Sequence, residues 1–171
     1  AASDVYKRQY YAAIDGKVEY CNYDLRIVNV LDISGDVDLN IGNIDFNGDV
    51  NITGNVITGV TIRAMGSIYI GGYVEGAVIK SNKDIVLNKG VNANGIGQIE
   101  AKGNISARFF ENAIVYAEGD VNAGYILSSK IMALGKVIVQ GSRGTIHGGD
   151  VTGVMGIETS NAGNASYAPT N

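Results

Sequence analysis

Apolar and polar residues alternate in short bursts along this chain, and the bursts restate one another. In residues 114–123, "IVYAEGDVNA", the period-two alternation puts Val115 and Ala117 on one face of a strand and Tyr116 and Glu118 on the other. Sixteen residues later "KIMALGKVIV" answers it, with Ile131, Ala133, Gly135, Val137 and Val139 standing where Val115, Ala117, Gly119, Val121 and Ala123 stood. Aligned on the central glycine, three more lines join: Ile62-Ala64-Gly66-Ile68-Ile70, Ile79-Ser81-Lys83-Ile85-Leu87 and Ile99-Ala101-Gly103-Ile105-Ala107. The central positions step by 17, 20, 16 and 16 residues. Gly48-Asp49-Val50 lies 18 residues before Gly66 and extends the series, and Gly35-Asp36-Val37-Asp38-Leu39 reads as an earlier, more divergent member.

A second register of small residues runs five positions ahead of the alanine slot: Gly59, Gly76, Asn112 and Ser128. Glycine and asparagine tolerate positive φ best, so this register predicts a corner. Each unit is then two or three short strands between tight corners, too short to fold alone or to hold a helix and a strand. The architecture that follows is all-β, a single-stranded parallel β-helix with coils of about 16–20 residues. Matching positions stack at about 4.8 Å, and seven coils make a rod of roughly 35 Å. Ala64, Ser81, Ala101, Ala117 and Ala133 mark a column where the cross-section has no room for leucine. The Ile and Val columns beside it fill the wider part, each side chain contributing about 1.5–3 kcal/mol when buried. A left-handed hexapeptide-repeat helix would keep an apolar residue every six positions, and an antiparallel sandwich would not return one phrase in register. Neither fits the pattern.

Composition sharpens this picture. Twenty-four glycines beside one proline, Pro169, suit corners between strands and exclude collagen, which needs strict glycine at every third residue. Hydrophobic residues make up 46%, enough for a sizeable core. The net charge of −4, with thirteen scattered basic residues, disfavours nucleic acid and anionic membrane as partners. No apolar run reaches the roughly 18 residues of a membrane-spanning helix, so no membrane insertion is expected. A single cysteine, Cys21, cannot form an internal disulfide and fits a reducing compartment.

Residues able to carry chemistry are few. His147, in "GTIHGGD", would be a general base beside Asp150, but an outward residue at a glycine corner is the plainer expectation. No second histidine accompanies it to make a zinc ligand set. Asp49, Asp84 and Asp120 fall at equivalent positions on alternate coils, with Ser67, Asn104 and Lys136 at the same position between and beyond them. Carboxylates so aligned could build a glycoside-cleaving pair, yet aspartate beside a corner glycine more commonly caps its own turn. Gly71-Gly72 and Gly148-Gly149 lack the aspartate-bearing nonapeptide of calcium-binding rolls. Tyr69, Tyr73, Tyr116 and Tyr125 decorate the coils while Tyr10, Tyr11, Tyr20 and Tyr23 precede them, and without tryptophan a sugar platform is the minor reading. Phe109-Phe110 reads as a core plug at a corner. "ANGIGQ" lacks the lysine and following helix of a phosphate loop. No catalytic, cofactor-binding or metal-ligating residue, and no cofactor, is therefore expected.

The ordered phrases "NIGNIDFNGDVNITGNV", "GSIYIGGYVEGAVIKS", "GQIEAKGNISARFFENAIVYAEGDV", "ILSSKIMALGKVIV" and "GTIHGGDV" closely resemble the bacterial flagellar assembly protein A family, over about Tyr11 to Gly163. The most specific pieces are residues 109–113, 42–50 and 144–149. The resemblance implies a right-handed β-helix after a smaller N-terminal domain, often before a coiled coil, in a cytoplasmic protein of flagellar assembly or cell-pole organisation. It carries no catalytic residues. Residues 10–34 would close the N-terminal domain, 35–160 form the β-helix and 161–171 a disordered tail. Residues 1–9, "AASDVYKRQ", stand outside the pattern and resemble sequencing-adaptor read-through, with a disordered or helical lead-in as the fallback. The function expected is a non-enzymatic scaffold with protein partners and self-association through the rod ends. The alternatives are a polymer-forming element like the bactofilins and a secreted β-helix acting on polysaccharide.

Overall fold

The computed structural model describes residues 17–21, 24–141 and 144–163. The expectations for residues 1–9, for Tyr10, Tyr11 and Tyr23, and for the tail beyond Gly163 lie outside these. Every described element is a strand, and none is a helix long and apolar enough to cross a membrane. Lys17–Cys21 and Asp24–Val28 form an antiparallel hairpin of their own. From Val30–Ile33 to Asn161–Ala162 the strands join one continuous ladder, and every pairing in it is parallel.

That ladder is a β-solenoid. Ile44, Ile62, Ile79, Ile99, Val115, Ile131 and Val151 pair in succession from coil to coil, one member from each of seven coils. All seven are buried. The small column runs beside them in the same register, Ala64 on Ser81 on Ala101 on Ala117 on Ala133. Ala101, Ala117 and Ala133 are at most 1% exposed. Ser81 is tolerated there because it is satisfied: its hydroxyl donates to Gly66 O at 2.7 Å and accepts the Lys83 N–H at 2.9 Å. Residues one step out of phase face solvent, Glu118 exposed and Tyr116 half-buried, as the alternation requires.

The corner register is equally plain. Gly59, Gly76, Asn112 and Ser128 have φ of 90°, 47°, 48° and 46°. Ser128 holds a conformation that is costly for a serine. The turn is braced by the buried Ser129, whose hydroxyl accepts the Ala113 N–H and donates to Leu127 O. At residues 93–97 the corner carries an insertion that exposes Ile96 and accounts for the one 20-residue step. "ANGIGQ" is thus a widened turn.

One repeat assignment changes. Gly35-Asp36-Val37 is not the earlier member of the Gly48 and Gly66 series. Leu31 pairs with Val50 and Ile33 with Ile52, so residues 29–33 hold that place. Val37 instead stacks under Val56 and Val74, at the next corner along the coil. Gly-Asp occurs at two different corners, Gly35-Asp36 at one and Gly48-Asp49 at the other, and the sequence phrase alone does not say which.

Candidate functional site

The repeated aspartates are engaged from coil to coil rather than within their own turns. The Ser67 N–H donates to Asp49 Oδ1 at 2.7 Å, and the Asn104 N–H to Asp84 Oδ1 at 2.7 Å. Above them the Asp120 N–H donates to Asn104 Oδ1 at 2.8 Å and the Lys136 N–H to Asp120 Oδ1 at 2.7 Å. A second corner repeats the device, with the Asn55 N–H on Asp36 Oδ1 at 2.7 Å and the Tyr73 N–H on Asn55 Oδ1 at 2.8 Å. In each case a short side-chain oxygen satisfies a backbone N–H that turns out of the strand ladder at the corner.

This geometry explains the glycines. A Cβ at Gly66 would strike Asp49 Oδ1, one at Gly103 Asp84 Oδ1, one at Gly119 Asn104 Oδ1 and one at Gly135 Asp120 Oδ1. Gly54 over Asp36 and Gly72 over Asn55 obey the same constraint. Where the coil below offers no Asx, the glycine is dispensed with: Lys83 follows Ser67, Met155 follows Lys136 and Lys89 follows Tyr73. Gly48 is the exception, held instead by the backbone and Cβ of Asn29. The glycine of each Gly-Asp pair therefore answers the residue one coil earlier, not its own neighbour.

His147 and Asp150 are not brought together as a pair. His147 stacks in register with Leu127 and Asp150 with Lys130. Between them Gly148 and Gly149, at φ 62° and 87°, turn the chain from one face to the next. Among the described residues no group of three His, Cys, Asp or Glu side chains is placed to hold a metal.

Two concave surfaces stand out among the described residues. The smaller, of about 320 Å³, lies outside the alanine column and is lined by Asp45, Arg63, Lys80, Glu100 and Glu118 among others. Its charges are partly self-paired, Lys80 Nζ meeting Glu100 Oε2 at 2.6 Å. Both partners are more than a third exposed, so water screens the pair and it adds little stability.

The larger concavity is a trough of about 900 Å³. It forms where Ile105–Glu111 and the long strand Val121–Ala133 bend at Arg108 and Gly124. Gly124 is required there because a Cβ would come within 2.7 Å of Arg108 O. Val86, Ser106, Asn122 and Ile138 stack as one outward column of the floor. Asn88, Arg108 and Gln140 follow one another along the bend, and Tyr73, Phe109 and Tyr125 edge the far side.

The aromatic row corrects the reading of Phe109-Phe110. Phe110 is indeed core, 0% exposed. Phe109 points outward and stacks on Tyr125, ring centroids 5.1 Å apart and planes 11° apart. The bend at Arg108 shifts the inward phase by one residue, from Ile105 to Phe110. Phe109 also reaches Tyr73, two coils back, at 6.3 Å. It can do so only because its ring lies over Gly90, where a Cβ would collide with it at 2.6 Å. Lys89 Nζ sits 4.9 Å from the Tyr73 ring centre, a cation–π contact. The Tyr125 hydroxyl donates to Glu111 Oε1 at 2.7 Å and fixes the other end.

A seven-coil parallel stack with Asx-capped corners and one bent, aromatic-edged face defines a β-solenoid domain. The family model described as the Flagellar Assembly Protein A beta solenoid domain matches residues 29–171. The chain belongs to that family. No curated protein and no solved structure matches it.

Proposed function

We propose that this flagellar-assembly domain works as a non-enzymatic scaffold, a cytoplasmic rod offering protein partners a spread surface during flagellar assembly or cell-pole organisation. The observation that carries the reading is the commitment of Asp49, Asp84 and Asp120. Each spends a carboxylate oxygen on the N–H of the next coil, whereas a general acid or base must reach a substrate proton. The groups that sequence alignment makes candidates for catalysis thus have structural work.

The test is complementation of a deletion strain in a flagellated host, with protein levels checked by blot. His147→Ala, Asp120→Asn and Cys21→Ser are expected to leave motility and localisation intact. Ala117→Asp, at a position with 0% exposure, buries an unpaired carboxylate and abolishes both. Loss of function by His147→Ala in folded, abundant protein would overturn the scaffold reading.

Self-association is the second reading, and apolar exposure at both ends of the rod favours it. Leu39 and Ile41 are 71% and 51% exposed near the first coil, and Val154 and Met155 64% and 72% near the last. A parallel edge left open beside such residues would template further pairing. Sedimentation velocity checks it: association should rise with concentration and fall in a Leu39→Lys, Met155→Lys double variant.

A further inference from the structure

We propose that the trough is a binding site for an acidic oligosaccharide, a linear glycan bearing carboxylates and lying along the rod axis.

The first support is periodicity. Each coil presents the trough with the same outward positions, so Val86, Ser106, Asn122 and Ile138 repeat at the coil spacing of about 4.8 Å. A linear chain of sugar rings advances by close to that spacing per ring, so successive rings meet equivalent positions. An extended peptide advances about 3.3 Å per residue and drifts out of step.

The second support is chemistry. Ser106, Asn88, Asn122 and Gln140 line the trough, and their hydroxyl and amide groups both donate and accept. Sugar hydroxyls ask for that dual capacity. Along one edge the Tyr73, Phe109 and Tyr125 rings add apolar surface against which the C–H groups of a sugar can pack, and Tyr73 is 46% exposed. Because Phe109 and Tyr125 stack on each other and Tyr125 is tied to Glu111, the row is already ordered, and binding need not immobilise it.

The third support is charge. The chain carries a net charge of −4, yet among the described residues the one charged side chain lining the trough is Arg108. Its planar guanidinium suits a carboxylate bidentately. Lys89, held over Tyr73, adds a second positive charge beside the trough. The Glu111 carboxylate at the far edge is engaged by the Tyr125 hydroxyl, so an acidic glycan is drawn to Arg108 and Lys89 in preference to a surface of net negative charge. Binding involves no covalent step, and the inference does not rest on the scaffold reading, since binding and complementation are measured separately.

The test is isothermal titration of the purified chain with hexamers of galacturonate, alginate and hyaluronan, beside neutral cellohexaose and a polyglutamate of equal charge. At least one acidic hexamer is expected to bind. Arg108→Gln and Tyr73→Ala should each weaken it about tenfold, while Arg63→Gln, in the other concavity, leaves it unchanged. Cellohexaose should bind more weakly and polyglutamate more weakly still. Circular dichroism confirms the fold of each variant, with Phe109→Leu as substitute if Tyr73→Ala fails to fold. Silence of all three acidic hexamers at millimolar concentration overturns the proposal. So does polyglutamate binding as tightly as the best glycan, or an equal loss in Arg63→Gln, either of which reduces the effect to bulk charge.

Discussion

The Gly–Asx corners and the aromatic trough lie on one solenoid and use polar side chains in opposite ways. At the corners every repeated Asx oxygen is turned inward along the axis, onto the next coil. In the trough Asn88, Ser106, Asn122 and Gln140 face outward from a concave surface. The corner repeats because each coil must solve the same problem of an N–H leaving the ladder. Only the floor of the trough repeats, as Val86, Ser106, Asn122 and Ile138: its edge depends on the bends at Arg108 and Gly124, one missing side chain at Gly90 and rings from separate coils. Where the coils share one demand the device recurs, and where the trough departs from the repeat its edge is particular to this face.

The comparison breaks most sharply at Gly119. Gly119→Ala drives a methyl into Asn104 Oδ1 and within 2.9 Å of the Gly103 carbonyl, and should destabilise by about 2–3 kcal/mol. Urea unfolding measures this. Adding Asn104→Ser, which copies the native Ser67 and Lys83 arrangement, should recover much of the loss. A neutral Gly119→Ala would show that the corner glycine has another origin.

A smaller effect separates the cap from its charge. Asp120→Ala leaves the Lys136 N–H without its acceptor and should cost about 1 kcal/mol. Asp120→Asn keeps an acceptor oxygen, as Asn104 does natively, and should stay within about 0.5 kcal/mol of the parent. Equal melting losses in the two would show that charge, not the hydrogen bond, matters at this corner.

Trough substitutions should move stability less than corner ones. Arg108→Gln is expected within about 0.5 kcal/mol of the parent, since Arg108 is exposed. Phe109→Leu should cost about 1 kcal/mol or less, the stacking contribution on Tyr125. A melting loss for Arg108→Gln matching that of Gly119→Ala would erase the distinction between the regions.

The smallest effect concerns pH. The Asp38 carboxylate accepts the N–H groups of Ile41 and Asn40 and the Asn40 side-chain amide, and these bonds hold its pKa below the ordinary carboxylate value. A lowered folded pKa gives stability that is present above the unfolded value of about 3.9 and is lost as pH falls through the folded one. Asp38→Asn cannot titrate. Urea midpoints of parent and variant should therefore converge slightly between neutral pH and pH values below the carboxylate range.

Much of the solenoid was legible because its rules act at fixed spacing. Alternation located the inward Val115 and Ala117, and the intolerance of positive φ located the corner at Gly59, Gly76, Asn112 and Ser128. The Gly35 phrase misled because two corners share one device, and only pairing with Val56 tells them apart. Phe109 misled because a bend shifts phase without changing composition. The contact between Tyr73 and Phe109 was hidden for another reason. It crosses two coils through the space that Gly90 leaves empty, and no local pattern reports an absent side chain that far away. Lys83 did carry a usable signal: its missing glycine coincides with the missing Asx at Ser67.

The direction of the corner caps bears on how the chain is made. In every Asx cap, unlike the hydroxyl bonds of Thr53 and Ser129, the acceptor belongs to the earlier coil and the donor to the later: Asp36 before Asn55, Asp49 before Ser67, Asp84 before Asn104, Asp120 before Lys136. A ribosome delivers a 16-residue coil in about one to three seconds, while short β-structures form in microseconds. Each new coil therefore emerges onto a finished one whose side-chain oxygens already stand in place to receive it. The growing rod can lengthen in the order of translation, with each turn serving as the template for the next.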